Sequence, residues 1–198
     1  MLSRWVRTWD SIVLRPLLQA LRLAGLTPNT LTLISLALFA GASLSVARGA
    51  LAITSGLLLA GGVADGLDGE LARVSDRATA FGGFLDSICD HLGDFAFSLG
   101  LLWLFLARHD QVAIILVFLA LFGSMLGSQV RSRAGMVGIT TKDIGLATRF
   151  ERTLILLLGC LTTYLVPALW LLAVLANLSA AQRIFHTIRQ VRMPPTSS

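Results

Sequence analysis

Residues 65–94 read DGLDGELARVSDRATAFGGFLDSICDHLGD and hold seven of the eleven acidic residues of a 198-residue chain. Both ends of this stretch run into long apolar segments, where charge is most costly. Hydrophobic residues make up 55% of the sequence and charged residues only 14%, with a mean hydropathy of +0.78. A water-soluble domain of this size has too little polar surface to cover so much apolar side chain. Several runs approach the ~20 apolar residues that cross a bilayer. The chain therefore reads as an all-α integral membrane protein.

Six spans are expected, at 29–47, 50–72, 81–107, 111–132, 152–166 and 168–188. Pro28 suits a first helical turn, and the TPNT beginning at Thr27 supplies cap-type residues. Pro167 marks the turn into the last span. The basic residues divide unevenly among the connections. The N-terminal segment has four, the loop after span two has Arg73 and Arg77, and the loop after span four has Arg131, Arg133, Lys142, Arg149 and Arg152. The C-terminus adds Arg183, Arg189 and Arg192, whereas the alternate connections hold only Arg48 and Arg108. Fourteen of sixteen thus fall on one side, which the positive-inside rule makes cytoplasmic along with both termini. A multi-pass protein of the plasma (inner) membrane is expected.

The first segment, WVRTWDSIVLRPLLQALRLAG, sets Trp5, Trp9, Ile12, Val13, Leu17 and Leu21 near helical spacing with arginines between them. It reads as an interfacial amphipathic helix that Pro16 kinks or splits. Arg4, Arg7, Arg15 and Arg22 leave no uninterrupted apolar core, so no cleavable signal peptide is expected. The expected organisation is a juxtamembrane helix over 1–26, a six-helix domain over 27–190 and a disordered tail over 191–198. Cys89 and Cys160 have no metal or disulfide spacing and read as packing residues. The net charge of +5 is accounted for by topology, so nucleic acid is not an expected partner.

The depth of the acids follows from helix geometry. From Ala50 to Ala64 a helix rises ~22 Å, which brings Asp65 to the cytoplasmic boundary of a ~30 Å hydrocarbon slab. Asp86, Asp90 and Asp94 then extend to about a third of its depth, in a cavity open to the cytoplasm. Asp65 and Asp68 share one helix face at i, i+3; Asp86, Asp90 and Asp94 share another at i, i+4, i+8. Like charges this close repel unless protons or cations intervene. Oxygen donors suit hard cations such as Mg²⁺, Mn²⁺ or Ca²⁺ rather than zinc. A solvated loop explains the acidity but not the shared faces. Gly61, Gly62, Gly66, Gly69, Ala72, Gly82 and Gly83 surround the acids and allow close helix approach or a flat ligand against backbone.

The pattern Asp65-x2-Asp68-Gly69-x2-Ala72-Arg73-x8-Gly82-x3-Asp86-x3-Asp90 fills every fixed position of a known signature. It resembles that of the CDP-alcohol phosphotransferases, and the preceding TPNTLTLIS is similar to that family's first transmembrane helix. The resemblance implies a six-helix membrane enzyme, usually a homodimer. Such enzymes displace CMP from a CDP-linked alcohol, commonly CDP-diacylglycerol, by attack of a second alcohol's hydroxyl. It also implies two divalent cations, Mg²⁺ or Mn²⁺, held by Asp65, Asp68, Asp86 and Asp90. Asp68, Gly69, Ala72 and Arg73 would bind the CDP moiety, and Asp90 would be the general base. His91 is a rival base, but it points about 100° from Asp90 around the helix and ranks as a packing or interfacial residue. Asp94 lies outside the signature.

The loop RSRAGMVGITTKDIGLATRFER and Arg183 concentrate positive charge beside the acids. Positive-inside topology and attraction to anionic lipid explain Lys142 and the C-terminal arginines, but account less well for Arg133, Arg149, Arg152 and Arg183. RSRA, GLATRFER and SAAQR also resemble parts of phosphatidylinositol-phosphate synthases, which implies that Arg133, Arg149, Arg152 and Arg183 bind the phosphate of an inositol phosphate acceptor. Arg131 departs from the Lys often found there. The expected partners are a CDP-lipid, a phosphorylated polyol, membrane lipid and a second copy of the chain. Glycerol phosphate or serine as acceptor, or a soluble CDP-inositol as donor, remain alternatives. An ion transporter is a third reading, disfavoured because spans one, four, five and six carry no buried acid to continue a path.

Overall fold

In the computed structural model, residues 15–75, 78–141, 144–145 and 148–192 are described. They form seven helices: α1 (Arg15–Leu23), α2 (Pro28–Ala47), α3 (Leu51–Val74), α4 (Ala80–Ala107), α5 (Gln111–Met136), α6 (Arg149–Leu161) and α7 (Leu165–Arg192). Trp5, Trp9, Ile12, Val13, Arg77, Lys142 and the tail 193–198 lie outside the described residues. Five helices, α2, α3, α4, α5 and α7, are long and apolar enough to cross a membrane, so the chain is an all-helical, multi-pass membrane protein.

The ends follow from local chemistry. Thr27 caps α2 by accepting from the Thr30 amide, with Pro28 in the first turn where its missing N–H costs nothing. Thr79 caps α4 by accepting from the Gly82 amide at 3.0 Å. Thr148 and Glu151 form a reciprocal capping box on α6.

Four expectations need correction. The fifth span, expected at 152–166, is the 13-residue α6, about 20 Å long by helical rise. The turn into α7 lies at 162–164 rather than at Pro167, which stands inside the first turn of α7, where proline is tolerated. Helix α5 runs four residues past the expected end of span four, so Arg131 and Arg133 are helical rather than in a loop. Residues 191 and 192, assigned to the tail, also belong to a helix.

Helix α2 packs against both α3 and α4, α5 packs against α7 and α4, and α6 against α3 and α7. The signature helices α3 and α4 do not pack directly on each other; their Cα atoms stay more than 8 Å apart. That gap, floored by α2, is where the acids project. Small residues set the closest crossings. A Cβ on Gly100 of α4 would lie 2.3 Å from the Ser43 carbonyl of α2, and one on Gly123 of α5 would lie 2.7 Å from the Asn177 amide of α7. Phe39, Leu58, Phe97, Leu101, Val117, Leu157 and Leu169 join the helices in one buried core, which Cys160 shares. Leu18 of α1 is buried with Leu31 and Leu71 at the acid end of the bundle.

Candidate active site

The acids gather where α2, α4 and α6 begin. Ligand oxygens of Asp65, Asp68 and Asp86 all lie within 4.8 Å of one another. Asp68 is buried, and its Oδ2 accepts from the Thr32 hydroxyl at 2.6 Å. The donor set is oxygen only, compact and partly buried, which fits a hard divalent cation. The fourth signature carboxylate is held differently. Asp90 and Asp65 both accept from Nη1 of Arg149, whose guanidinium also lies 5.2 Å from the Phe39 ring centroid.

A groove of about 320 Å³ opens on one side of the acids, lined by Asn29, Thr32, Asp68, Gly69, Ala72, Gly82 and Asp86 among others. A Cβ on Gly69 would meet nothing within 4 Å, so this position faces open space; one on Gly82 would press on Thr79 and Asn29 at 3.2 and 3.3 Å. Arg73 does not line this groove. It is exposed and pairs with Glu70 one turn back on its own helix.

A second, polar cavity of about 270 Å³ lies on the other side. Arg131, Arg149, Arg152 and Arg183 line it, facing Asp86, Asp90 and Asp94. The two spaces meet at Gly83 and Asp86, which line both. Arg152 donates to Asp94 at 3.0 Å, and Ser124 donates to the same oxygen at 3.3 Å. Arg183 is buried; its Nε donates to the Ile144 carbonyl at 2.8 Å and its Nη1 to the Gly127 carbonyl at 3.0 Å. Two of its five N–H donors thus tie the loop to α5.

Of the four arginines read from the sequence as one anion site, Arg133 is not brought here. It lines a separate, largely apolar groove with Val130, Val137, Ile184 and Ile188. Residues two apart on a helix point about 200° apart, so only one of Arg131 and Arg133 can face the cavity, and it is Arg131. His91, read as a packing or interfacial residue, is brought here as well. It lines the cavity beside Asp90, with Nδ1 on the Ser87 carbonyl and Nε2 3.1 Å from the Ser128 hydroxyl. The cavity spans enough of α4 that an offset of 100° does not leave it.

Thr32, Ser124 and Ser128 were not singled out from the sequence, and Arg131 was noted only as a departure from the Lys often found there. The signal for the serines was present: two hydroxyls at i, i+4 within the otherwise apolar LFGSMLGS of α5. Thr32 had a weaker one, a hydroxyl one turn inside an apolar span.

Comparisons with known proteins agree with this geometry. A family model for CDP-alcohol phosphatidyltransferases matches residues 25–188. The chain is 34% identical over 169 residues to the archaetidylinositol phosphate synthase of Pyrococcus horikoshii, covering 85% of this chain and 87% of that protein. It is 33% identical over 192 residues to the phosphatidylinositol phosphate synthase of Mycobacteroides abscessus, covering 89% and 84%. A crystal structure of the Mycobacterium tuberculosis phosphatidylinositol phosphate synthase with CDP-DAG bound superposes with a TM-score of 0.79 at 28% identity, covering 88% of this chain and 93% of that one. The same enzyme in complex with manganese and citrate gives 0.78 at 30% identity, covering 88% of each. The filled signature, the paired compartments around it and a family match over most of the helical bundle have one reading: the chain belongs to the CDP-alcohol phosphatidyltransferase family and is a transferase.

Proposed function

We propose that this chain transfers the phosphatidyl group of a CDP-lipid such as CDP-diacylglycerol to a hydroxyl of inositol phosphate, releasing CMP. The observation that carries this reading is the polar cavity. Four arginine side chains face a space that meets the signature groove at Asp86, as expected for an acceptor that brings its own phosphate. The relatives named for inositol-phosphate lipid synthesis support the same acceptor.

In this reading Asp65, Asp68, Asp86 and Asp90 hold two divalent cations, Mg²⁺ or Mn²⁺. The compact oxygen set supports it, as does the manganese complex of the mycobacterial relative. When bound, the cations neutralise the diphosphate and the charge growing on the departing CMP. Gly69 and Ala72 leave the wall of the groove flat for the cytidine, beside Asp68, while Arg73, the residue after Ala72, is exposed with its charge shared with Glu70. Arg149, Arg152 and Arg183 receive the acceptor phosphate, with Arg131 replacing Arg133. Asp90 lies on the cavity wall one turn from Asp86 and takes the acceptor's hydroxyl proton. The hydroxyl oxygen then bonds to the lipid-side phosphorus as the bond from that phosphorus to CMP breaks.

The membrane arrangement belongs to the same proposal. Arg149 at the start of α6 and Arg183 in α7 both reach the acid end, and Leu165 lies about 27 Å along α7 from Arg183 by helical rise. Helix α6 therefore serves as a short fifth crossing in a six-span bundle over 27–190, with both termini and the site cytoplasmic in the plasma membrane. Helix α1 lies along the interface. The exposed row Phe84, Ile88, Leu92, Phe95, Leu99 and Trp103 on α4 supports a homodimer face. A monomeric mass in detergent by light scattering counts against the dimer.

The deciding experiment measures CMP release from CDP-diacylglycerol by the reconstituted protein with Mg²⁺ or Mn²⁺ and a panel of acceptors. Release is expected with inositol phosphate and not without metal. Release with glycerol 3-phosphate, serine or unphosphorylated inositol, but not with inositol phosphate, overturns the acceptor assignment.

A further inference from the structure

Asp94 lies outside the signature, one helical turn beyond its last aspartate, yet it has more partners on neighbouring helices than that position requires. Its Oδ2 accepts from Arg152 Nη2 at 3.0 Å and from the Ser124 hydroxyl at 3.3 Å. Its Oδ1 faces Arg149 Nε at 3.8 Å. That Nε is buried and makes no hydrogen bond among the described residues, so Asp94 is the carboxylate towards which it is aimed. Asp94, Ser124 and Arg152 line both the polar cavity and a small, mainly apolar cavity of about 40 Å³ towards the core. The carboxylate thus sits at the floor of the acceptor space, contacting two arginines that share one face of α6.

Arg149 and Arg152, three residues apart on a helix, repel each other, and each has a long side chain with many rotamers. A carboxylate fixed by α4 and by Ser124 of α5 gives both guanidinium groups a common anchor. An arginine anchored through Nη2 can still present its remaining N–H donors in a fixed orientation. We propose that Asp94 is a positioning residue: it orients Arg152, and through Nε also Arg149, so that their remaining donors converge on the acceptor's phosphate. This rests on reading the polar cavity as the acceptor's.

A counter-charge role makes the opposite prediction. If Asp94 only balances the arginines, neutralising it leaves the cavity more positive and tightens an anionic acceptor. If it positions them, neutralising it weakens the acceptor although the net charge now favours binding. The test is a kinetic cycle on the full chain with Asp94→Asn, Arg152→Ala, the double variant and Asp94→Glu. Metal-dependent thermal stabilisation reports that each variant is folded.

Asp94→Asn is expected to raise the acceptor KM about tenfold, the scale of one charge-assisted contact, with the CDP-diacylglycerol KM unchanged. The double variant should be worse than Arg152→Ala by clearly less than the factor Asp94→Asn shows alone, because part of the Asp94 effect acts through Arg152 and only the part through Arg149 remains. Asp94→Glu keeps the charge but moves the carboxylate; it should still raise the acceptor KM several-fold, and it carries the test if Asp94→Asn does not fold. A lower acceptor KM in Asp94→Asn, an unchanged one in Asp94→Glu, multiplicative effects in the double variant or an equal rise in the donor KM overturns the proposal. If the wild type releases CMP with another acceptor and not with inositol phosphate, the acceptor assignment falls. The same cycle run with that acceptor then decides Asp94 separately.

Discussion

Replacing Thr32 with valine tests whether a residue of α2, outside the signature, tunes the metal cradle. The Thr32 hydroxyl has one proton and two acceptors in reach, the Pro28 carbonyl at 3.1 Å and Asp68 Oδ2 at 2.6 Å. The shorter contact to a charged oxygen takes the proton, so Thr32 orients the most buried carboxylate of the cradle. Valine keeps the shape of threonine and removes only that donor. A hydrogen bond to a charged group contributes about 1.5–3 kcal/mol, which at about 1.4 kcal/mol per decade is roughly ten- to a hundredfold in binding. Outer-shell partners of metal-binding carboxylates give the same range by mutation, about 10–100-fold in metal affinity. Thr32→Val should therefore weaken Mn²⁺ binding by at least about tenfold in titration calorimetry, with Thr32→Ser close to wild type. Equal Mn²⁺ affinity in all three proteins would refute the assignment of that proton to Asp68.

Gly69→Leu should fill the groove and weaken CMP binding by at least about tenfold, while helix content is kept because leucine is the better helix former; unchanged CMP affinity removes Gly69 from the nucleotide side. Asp90→Asn should bind CDP-lipid with metal yet fail at transfer, whereas His91→Ala should remain substantially active; the reverse pattern in a transfer assay makes the histidine the base. Arg131→Ala should raise the acceptor KM about tenfold while Arg133→Ala leaves it within about twofold, and the opposite ranking would return Arg133 to the acceptor site.

Much of the site was legible because its chemistry recurs at fixed intervals. Asp65 and Asp68 at i, i+3, and Asp86 and Asp90 at i, i+4, are placed on helix faces by the 3.6-residue period alone. Gly69, Ala72 and Gly82 are read the same way, as small residues at set offsets from the acids. The membrane character followed from composition, since no soluble fold covers so much apolar side chain.

Tertiary structure decided what the period leaves open. Arg131 and Arg133 have the same charge and stand on the same helix, and the sequence does not say how α5 is rotated. Packing against α7, where Gly123 admits Asn177, fixes the rotation that sends Arg131 to the cavity and Arg133 away from it. The separation of α3 from α4 by α2 is likewise a matter of helix order in space; it opens the gap that local spacing fills with acids. The contacts of Thr32 with Asp68 and of Asp94 with Arg152 join residues 36 and 58 positions apart. Local spacing dictates which side chains share a face of one helix, but which face meets which is set only when the whole bundle buries its small and apolar residues at once.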